Sequence, residues 1–108
     1  MADTFKLWNQ RLGTANTTVY TCPAGANAIV ILGQIANIDG TNSVDAWVYA
    51  TDNSAANTRA LGWKIPVPAA AATTFLTGKL VLEAGDYISA NCSSADKIDI
   101  TVSVLEIT

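Results

Sequence analysis

Few residues in this chain have the types and spacing that catalysis requires. The sequence contains no histidine, so the usual general base and the Ser-His and Cys-His nucleophile pairs are missing. Two carboxylate pairs, Asp45 with Asp99 and Glu83 with Asp86, could in principle act as acid and base. The first pair falls at polar-face positions and the second flanks a Gly turn, where solvated charge is expected. We therefore predict no catalytic residues and no enzymatic activity.

Metal and cofactor sites are also weakly supported. The loop Asp39-Gly40-Thr41-Asn42-Ser43 is rich in side-chain oxygen atoms, but it lacks the spacing and the terminal Glu of an EF-hand loop. Cys22 and Cys92 match no zinc pattern, and two reduced, buried thiols are favoured over a disulfide. No glycine cluster resembles a phosphate loop. We predict neither a metal nor a cofactor.

Aromatic side chains offer the one remaining functional possibility. Trp47 and Tyr49 lie on the face of their predicted strand opposite its Val and Ala residues. If that face is exposed, the rings could stack on sugars or fill a pocket of a partner. We expect instead that this face is covered, either by the second sheet or by a neighbouring subunit. For Trp47 a subunit interface is the favoured alternative.

The elements that carry these side chains are predicted to be short strands. Alternating segments rich in Val, Ile, Thr, Tyr and Trp, with turn residues between them, are typical of half-buried strands. The predicted strands are 5–12, 17–22, 28–38, 43–51, 61–67, 75–82, 86–92 and 97–107. We expect a tight hairpin at 39–42, the longest loop at 52–58 and a bulge at Gly33.

This pattern predicts an all-β fold of one domain. The 108 residues suffice for a single core. About eight strands favour a single antiparallel β-sandwich that is jelly-roll-like, with a closed barrel as the nearest alternative. Residues 1–16 are an N-terminal arm or a first edge strand, and residues 17–108 form the sandwich.

Composition indicates a protein that associates with itself or with others. Half of the residues (50%) are hydrophobic and only 14% are charged, whereas soluble domains carry about 25% charged residues. The net charge is −3 and the basic residues are scattered, so nucleic acid is not an expected partner. No long apolar run or signal-peptide pattern occurs, so we expect neither a membrane protein nor a Sec-exported one.

Two strings resemble a known group of proteins. VYTCPAGANAIVILGQIAN and KLVLEAGDYISA resemble the turns and strands of small tailed-bacteriophage virion structural proteins, of the capsid decoration (cement) or tail accessory type. The resemblance covers residues 19–108. It implies a virion protein, assembled in the host cytoplasm, that binds the major capsid protein or tail proteins and also binds itself, most simply as a homotrimer.

Six residues are the predicted interface. They are Phe5, Leu7, Trp8, Trp47, Tyr49 and Trp63. The first three would anchor an N-terminal arm on a neighbour, or would simply belong to the first strand. The alternative function is a carbohydrate-binding module of a tail fibre or baseplate, in which Trp47, Tyr49 and Trp63 should be exposed and close together.

Overall fold

The computed structural model describes residues 3–108 and is built from strands. Its strands are β1 Asp3–Leu12, β2 Thr17–Thr21, β3 Asn27–Asn37, β4 Val44–Asp52, β5 Asn57–Val67, β6 Ala72–Thr74, β7 Leu80–Leu82, β8 Tyr87–Cys92 and β9 Ile98–Ile107. Among these residues there is no helix long and apolar enough to span a membrane. The all-β prediction is confirmed.

The strands form two antiparallel sheets packed face to face. The five-stranded sheet has the order β1-β9-β3-β6, with β7 also paired to β3, and the four-stranded sheet has the order β2-β8-β4-β5. Because β6 and β7 pair with successive parts of the same strand, they are two halves of one interrupted strand. With β6 and β7 counted as one strand, the eight strands have the order of a jelly roll. The predicted β-sandwich is therefore confirmed.

Alternation along the strands builds the core between the sheets. In β9 four inward side chains are fully buried, namely Ile98, Ile100, Val102 and Val104. Their partners come from β4, β8 and β3 on the facing and neighbouring strands. The next inward position of β9 is a charged residue, Glu106, which is only 5% exposed. One end of the core therefore contains a polar cluster.

Two predictions about connections are wrong. Strands β3 and β4 belong to different sheets, so residues 38–43 cross between the sheets instead of forming a hairpin. The segment 52–58 was expected to be the longest loop, but only residues 53–56 lie between β4 and β5, and they form a turn. This connection is shorter than the crossing at 38–43. Sequence turn signals show where a chain bends, but strand pairing decides which sheet it enters next.

The segment 75–82 is not one continuous strand. It leaves the sheet after β6 and returns at β7, and the buried side chain of Phe75 occupies the break. Phe75 donates its backbone N–H to the Gly33 carbonyl at 3.2 Å, and its ring lies over Gly33. The β3 register shift falls between Val30 and Leu32, not at the predicted Gly33. Gly33 instead makes room for an aromatic ring.

We expect Gly33→Ala to lower the free energy of unfolding by about 2 kcal/mol, because overpacking a dense core is costly. A Cβ atom at Gly33 would lie 2.5 Å from the Phe75 ring. Urea denaturation would measure the change. Gly40→Ala is the control, since a Cβ atom there meets nothing within 4 Å. Equal stability of the two variants would contradict this account of Gly33.

Candidate interaction surfaces

Three predicted interface residues form one cluster on the outer face of the four-stranded sheet. The Trp63 ring centroid lies 6.4 Å from that of Trp47 and 6.2 Å from that of Tyr49, both in edge-to-face geometry. Trp63 is 68% exposed, and the other two rings are half-buried. We call Trp47, Tyr49 and Trp63 the aromatic surface. In the single chain the second sheet does not cover it.

A distorted edge strand holds Trp63 outward. The pairing of β4 with β5 shifts register on both sides of Val48, and Lys64 has a left-handed φ of 51°. The Ile65 side chain folds over Gly62, where a Cβ atom would collide with it. These irregularities put Trp63 beside Trp47 and Tyr49, because a bulge redirects the side chains of the strand that contains it.

The opposite outer face of the molecule carries a second hydrophobic region. Phe5 and Leu7 of β1 are 73% and 63% exposed, and Ile31 and Leu32 of β3 are also exposed. Phe5, Leu7 and Ile31 line one shallow groove across the five-stranded sheet. We call Phe5, Leu7, Ile31 and Leu32 the apolar patch. Its β3 members were not predicted, because the bulge that exposes them depends on pairing with β9.

Trp8 belongs to neither surface. Its side chain is on the inward side of β1, where its ring centroid lies 5.8 Å from that of the buried Tyr20. Its strand pairs with β9 over the whole length from Asp3 to Leu12. In the single chain, residues 3–12 therefore lie in the sheet as an edge strand. The six predicted interface residues therefore do not form one surface. Three lie on one outer face, two lie on the other, and Trp8 lies at the edge of the core.

A buried polar cluster lies beside Trp8. The Glu106 carboxylate accepts a hydrogen bond from the Tyr20 hydroxyl at 2.5 Å and pairs with the Lys6 ammonium at 2.9 Å. The bond from Tyr20, helped by Lys6, lowers the pKa of Glu106 below its ordinary value. Burial, followed by the bond to Glu106, raises the pKa of Tyr20 well above its ordinary value. In the sequence, the charged Glu106 at the inward position that follows Val104 was the signal that could have predicted this cluster.

Two of the carboxylates considered for catalysis, Asp86 and Asp99, have structural partners. Asp45 and Asp99 belong to different sheets, and Asp99 binds the Arg11 guanidinium at 2.8 and 3.2 Å. Asp86 accepts the backbone N–H groups of Asn53 and Glu83 at 3.0 and 2.9 Å. It therefore orders two turns, as a capping side chain does.

The loop considered for calcium is closed by its own backbone. Asp39 accepts the N–H groups of Thr41 and Asn42 at 2.8 and 3.1 Å, and these bonds lower its pKa. Within residues 3–108 there is no group of three or more His, Cys, Asp or Glu side chains placed to hold a metal. The Asp39 carboxylate thus has a local structural role.

Both cysteines are free and buried. The Cys22 N–H bonds to the Asp86 carbonyl just before β8 begins, whereas Cys92 is the last residue of β8. The two thiols therefore lie at opposite ends of a six-residue strand, roughly 17 Å apart at the usual rise per residue. A disulfide needs Cα atoms within about 7 Å, so these two cysteines do not bond to each other in this fold.

Comparison with known proteins supports the fold and no closer relationship. No protein-family model matches the chain, and no curated protein is significantly similar to it. A protein of the Bacillus endospore appendages, described as a novel family of disulfide-linked pili, aligns with a TM-score of 0.56 and 11% identity over 99% of this chain and 87% of that one.

Two further solved structures align at lower scores. The Eiger TNF of S. frugiperda has a TM-score of 0.47 and 12% identity, over 94% of this chain and 85% of that one. The VP2 subviral particle of infectious bursal disease virus has a TM-score of 0.48 and 10% identity, over 98% of this chain and 32% of that one. We draw the fold likeness from the pilus protein alone.

Proposed function

We propose that the protein is a non-enzymatic structural subunit of a bacteriophage virion, which decorates or cements the capsid by binding copies of itself and the capsid lattice. The observation that carries the proposal is the presence of exposed hydrophobic side chains on both outer faces of one sandwich. Phe5 and Leu7 are on one face and Trp63 is on the other. A subunit with two such faces can bridge two neighbours at once.

The scarcity of charge supports the same proposal. Only 14% of residues are charged. Within residues 3–108 the ion pairs Lys6–Glu106 and Arg11–Asp99 both join β1 to β9. Much of the remaining surface is Thr, Ser, Asn and Ala, which suits close packing of many copies. Burial of aromatic side chains at the centre of an interface provides most of its binding energy.

The fold likeness to a pilus protein is compatible with assembly, but the bonding would differ. That protein comes from disulfide-linked pili, whereas both thiols of this chain are only 1% exposed. Thiol–disulfide exchange requires access to the sulfur. We therefore propose that copies of this chain associate without covalent links, in the trimer that the phage resemblance implies, with the aromatic surface at the contact.

A carbohydrate-binding function is the second candidate, and the aromatic surface favours it. Trp47, Tyr49 and Trp63 lie close together, as that function requires. Trp63 is largely exposed, whereas the other two rings are half-buried. Asn91 lies opposite Trp47 in the neighbouring strand β8 and could hydrogen-bond a sugar hydroxyl. An aromatic face with polar groups at its border suits a ring that has both apolar and polar sides.

We expect Trp63→Ala to weaken self-association and capsid binding at least tenfold while leaving the unfolding midpoint nearly unchanged, because an exposed aromatic side chain supports an interface more than a core. Light scattering would measure association, and co-sedimentation with empty tailed-phage capsids would measure binding. Ile38→Ala is the matched control, since Ile38 is 46% exposed and lies outside both surfaces.

The outcomes separate the two candidate functions. Wild-type particles of three chains, or of a multiple of three, that co-sediment with capsids would support the virion proposal. A monomer that ignores capsids but is retained on a polysaccharide resin, with retention lost in Trp63→Ala, would replace that proposal with the carbohydrate function. A monomer that binds neither probe would contradict both.

A further inference from the structure

The four edge strands of the sandwich differ in how well they are protected. In the four-stranded sheet, β5 contains Pro66, two register shifts and the left-handed Lys64, and β2 is five residues long with a register shift. In the five-stranded sheet, the edge opposite β1 is divided into β6 and β7, each three residues long. Short strands, prolines and bulges all prevent pairing with another chain.

Strand β1 has none of these protections. Its ten residues pair with β9 in a continuous register without a shift, and they include no proline or glycine. Its one inward lysine, Lys6, is bound to Glu106 and so does not block the edge. A long, regular and partly apolar edge is a template for pairing with a further strand.

We propose that the free edge of β1 pairs with the same edge of a second copy of this chain, in antiparallel orientation about a two-fold axis at Leu7. The two five-stranded sheets then become one continuous sheet. This inference deepens the proposed function by naming a second contact between copies, and it rests on self-association being part of that function. The contact is separate from the aromatic surface, which lies on the other sheet.

Charge complementarity selects the register. With Leu7 opposite the partner's Leu7, Asp3 lies opposite the partner's Arg11, and the symmetry repeats this attraction. The Arg11 guanidinium already binds Asp99 of its own chain, but its side chain is 55% exposed and so accessible to a second carboxylate. On the inward face Lys6 lies opposite the partner's Trp8, a pairing that cation–π attraction favours. Opposite charges and aromatic contacts across directly paired positions stabilise antiparallel strands.

The neighbouring registers lack this complementarity. A two-fold axis perpendicular to the sheet keeps like faces together, so the register changes in steps of two. One step places Lys6 opposite the partner's Lys6, where like charges repel. The step in the other direction places Trp8 opposite the partner's Trp8 and leaves Asp3 without Arg11 opposite it.

A disulfide trap tests the pairing and its register together. In Leu7→Cys the two new thiols would face each other, with Cα atoms about 5 Å apart, as a disulfide requires. In the matched control Phe5→Cys the thiols would be about 13 Å apart, four residues out of register. We expect mild oxidation to convert most of Leu7→Cys, and little of Phe5→Cys, into a dimer on non-reducing gels. The native thiols, each 1% exposed, leave the wild type uncross-linked.

Each result decides the proposal. Preferential cross-linking of Leu7→Cys supports it, and a dimer that also becomes about tenfold weaker in Asp3→Lys supports the assigned register. Equal or absent cross-linking of the two variants overturns it. If cross-linking fails while light scattering still shows an oligomer that Trp63→Ala disrupts, the edge pairing is wrong and the proposed function stands. If the wild type is also monomeric and binds no capsid, both fail.

Discussion

Replacing Asn37 with alanine is expected to lower the free energy of unfolding by about 4 kcal/mol, because several buried polar groups lose their partners together. Asn37 is 3% exposed. Its amide nitrogen donates to the carbonyls of Asn42, Val67 and Pro68 at 2.9, 3.0 and 3.3 Å, and its oxygen accepts the Asp39 N–H at 2.9 Å. One side chain thereby joins the end of β3, the crossing between the sheets and the end of β5.

Urea denaturation of three variants would test this role. Asn37→Asp keeps the shape but places a carboxylate oxygen against carbonyl oxygens, so we expect a loss at least as large as for alanine. Asn42→Ala is the matched control, since the Asn42 side chain has one exposed 3.4 Å bond to Asp39, and we expect a loss below about 0.5 kcal/mol. A small effect of Asn37→Ala would mean that water replaces the amide.

The second large effect is expected in the cluster of Lys6, Tyr20 and Glu106. Lys6→Met should lower stability at pH 7 by about 2 kcal/mol, since it leaves a buried carboxylate without its cation. The loss is below the range for fully buried pairs because the Lys6 side chain is 42% exposed. The double variant Lys6→Met with Glu106→Gln should recover part of the loss, because no buried charge remains and the Tyr20 hydroxyl keeps an acceptor.

The same cluster predicts a dependence on pH. The folded-state pKa of Glu106 is lowered, so its contribution is present above the unfolded value of about 4.3 and is lost as the pH falls through the lower folded value. We expect wild-type thermal stability to fall more steeply than that of Glu106→Gln between about pH 4.5 and 3. Parallel melting curves of the two proteins across that range would refute the assignment.

These stability effects bear on assembly through β1. Lys6 and Trp8 hold this edge strand against Glu106 and Tyr20, so acid or a Lys6 substitution should loosen the strand before the core. The aromatic surface lies on the other sheet and should be affected less. Measurements at neutral pH therefore separate loss of an interface from loss of the strand that presents it.

The fold class and much of the core could be predicted from the sequence. Alternation of Ile98, Ile100, Val102 and Val104 with polar residues identified β9 and its inward face, and the structure buries all four. Such patterns are local, because successive side chains of a strand point to opposite faces. The residue types also predicted that aromatic side chains at an interface, and not catalytic groups, would carry the function.

Only the tertiary structure decided which strands pair and which side chains meet. Trp47 and Trp63 are neighbours because β4 pairs with β5 through a bulge. Phe75 covers Gly33 because the edge strand is interrupted between β6 and β7. The Glu106 carboxylate is buried where Tyr20 and Lys6 bind it. Each contact joins residues far apart in the chain. The period of a strand determines the face on which a residue lies, but strand order and register determine what lies beside it.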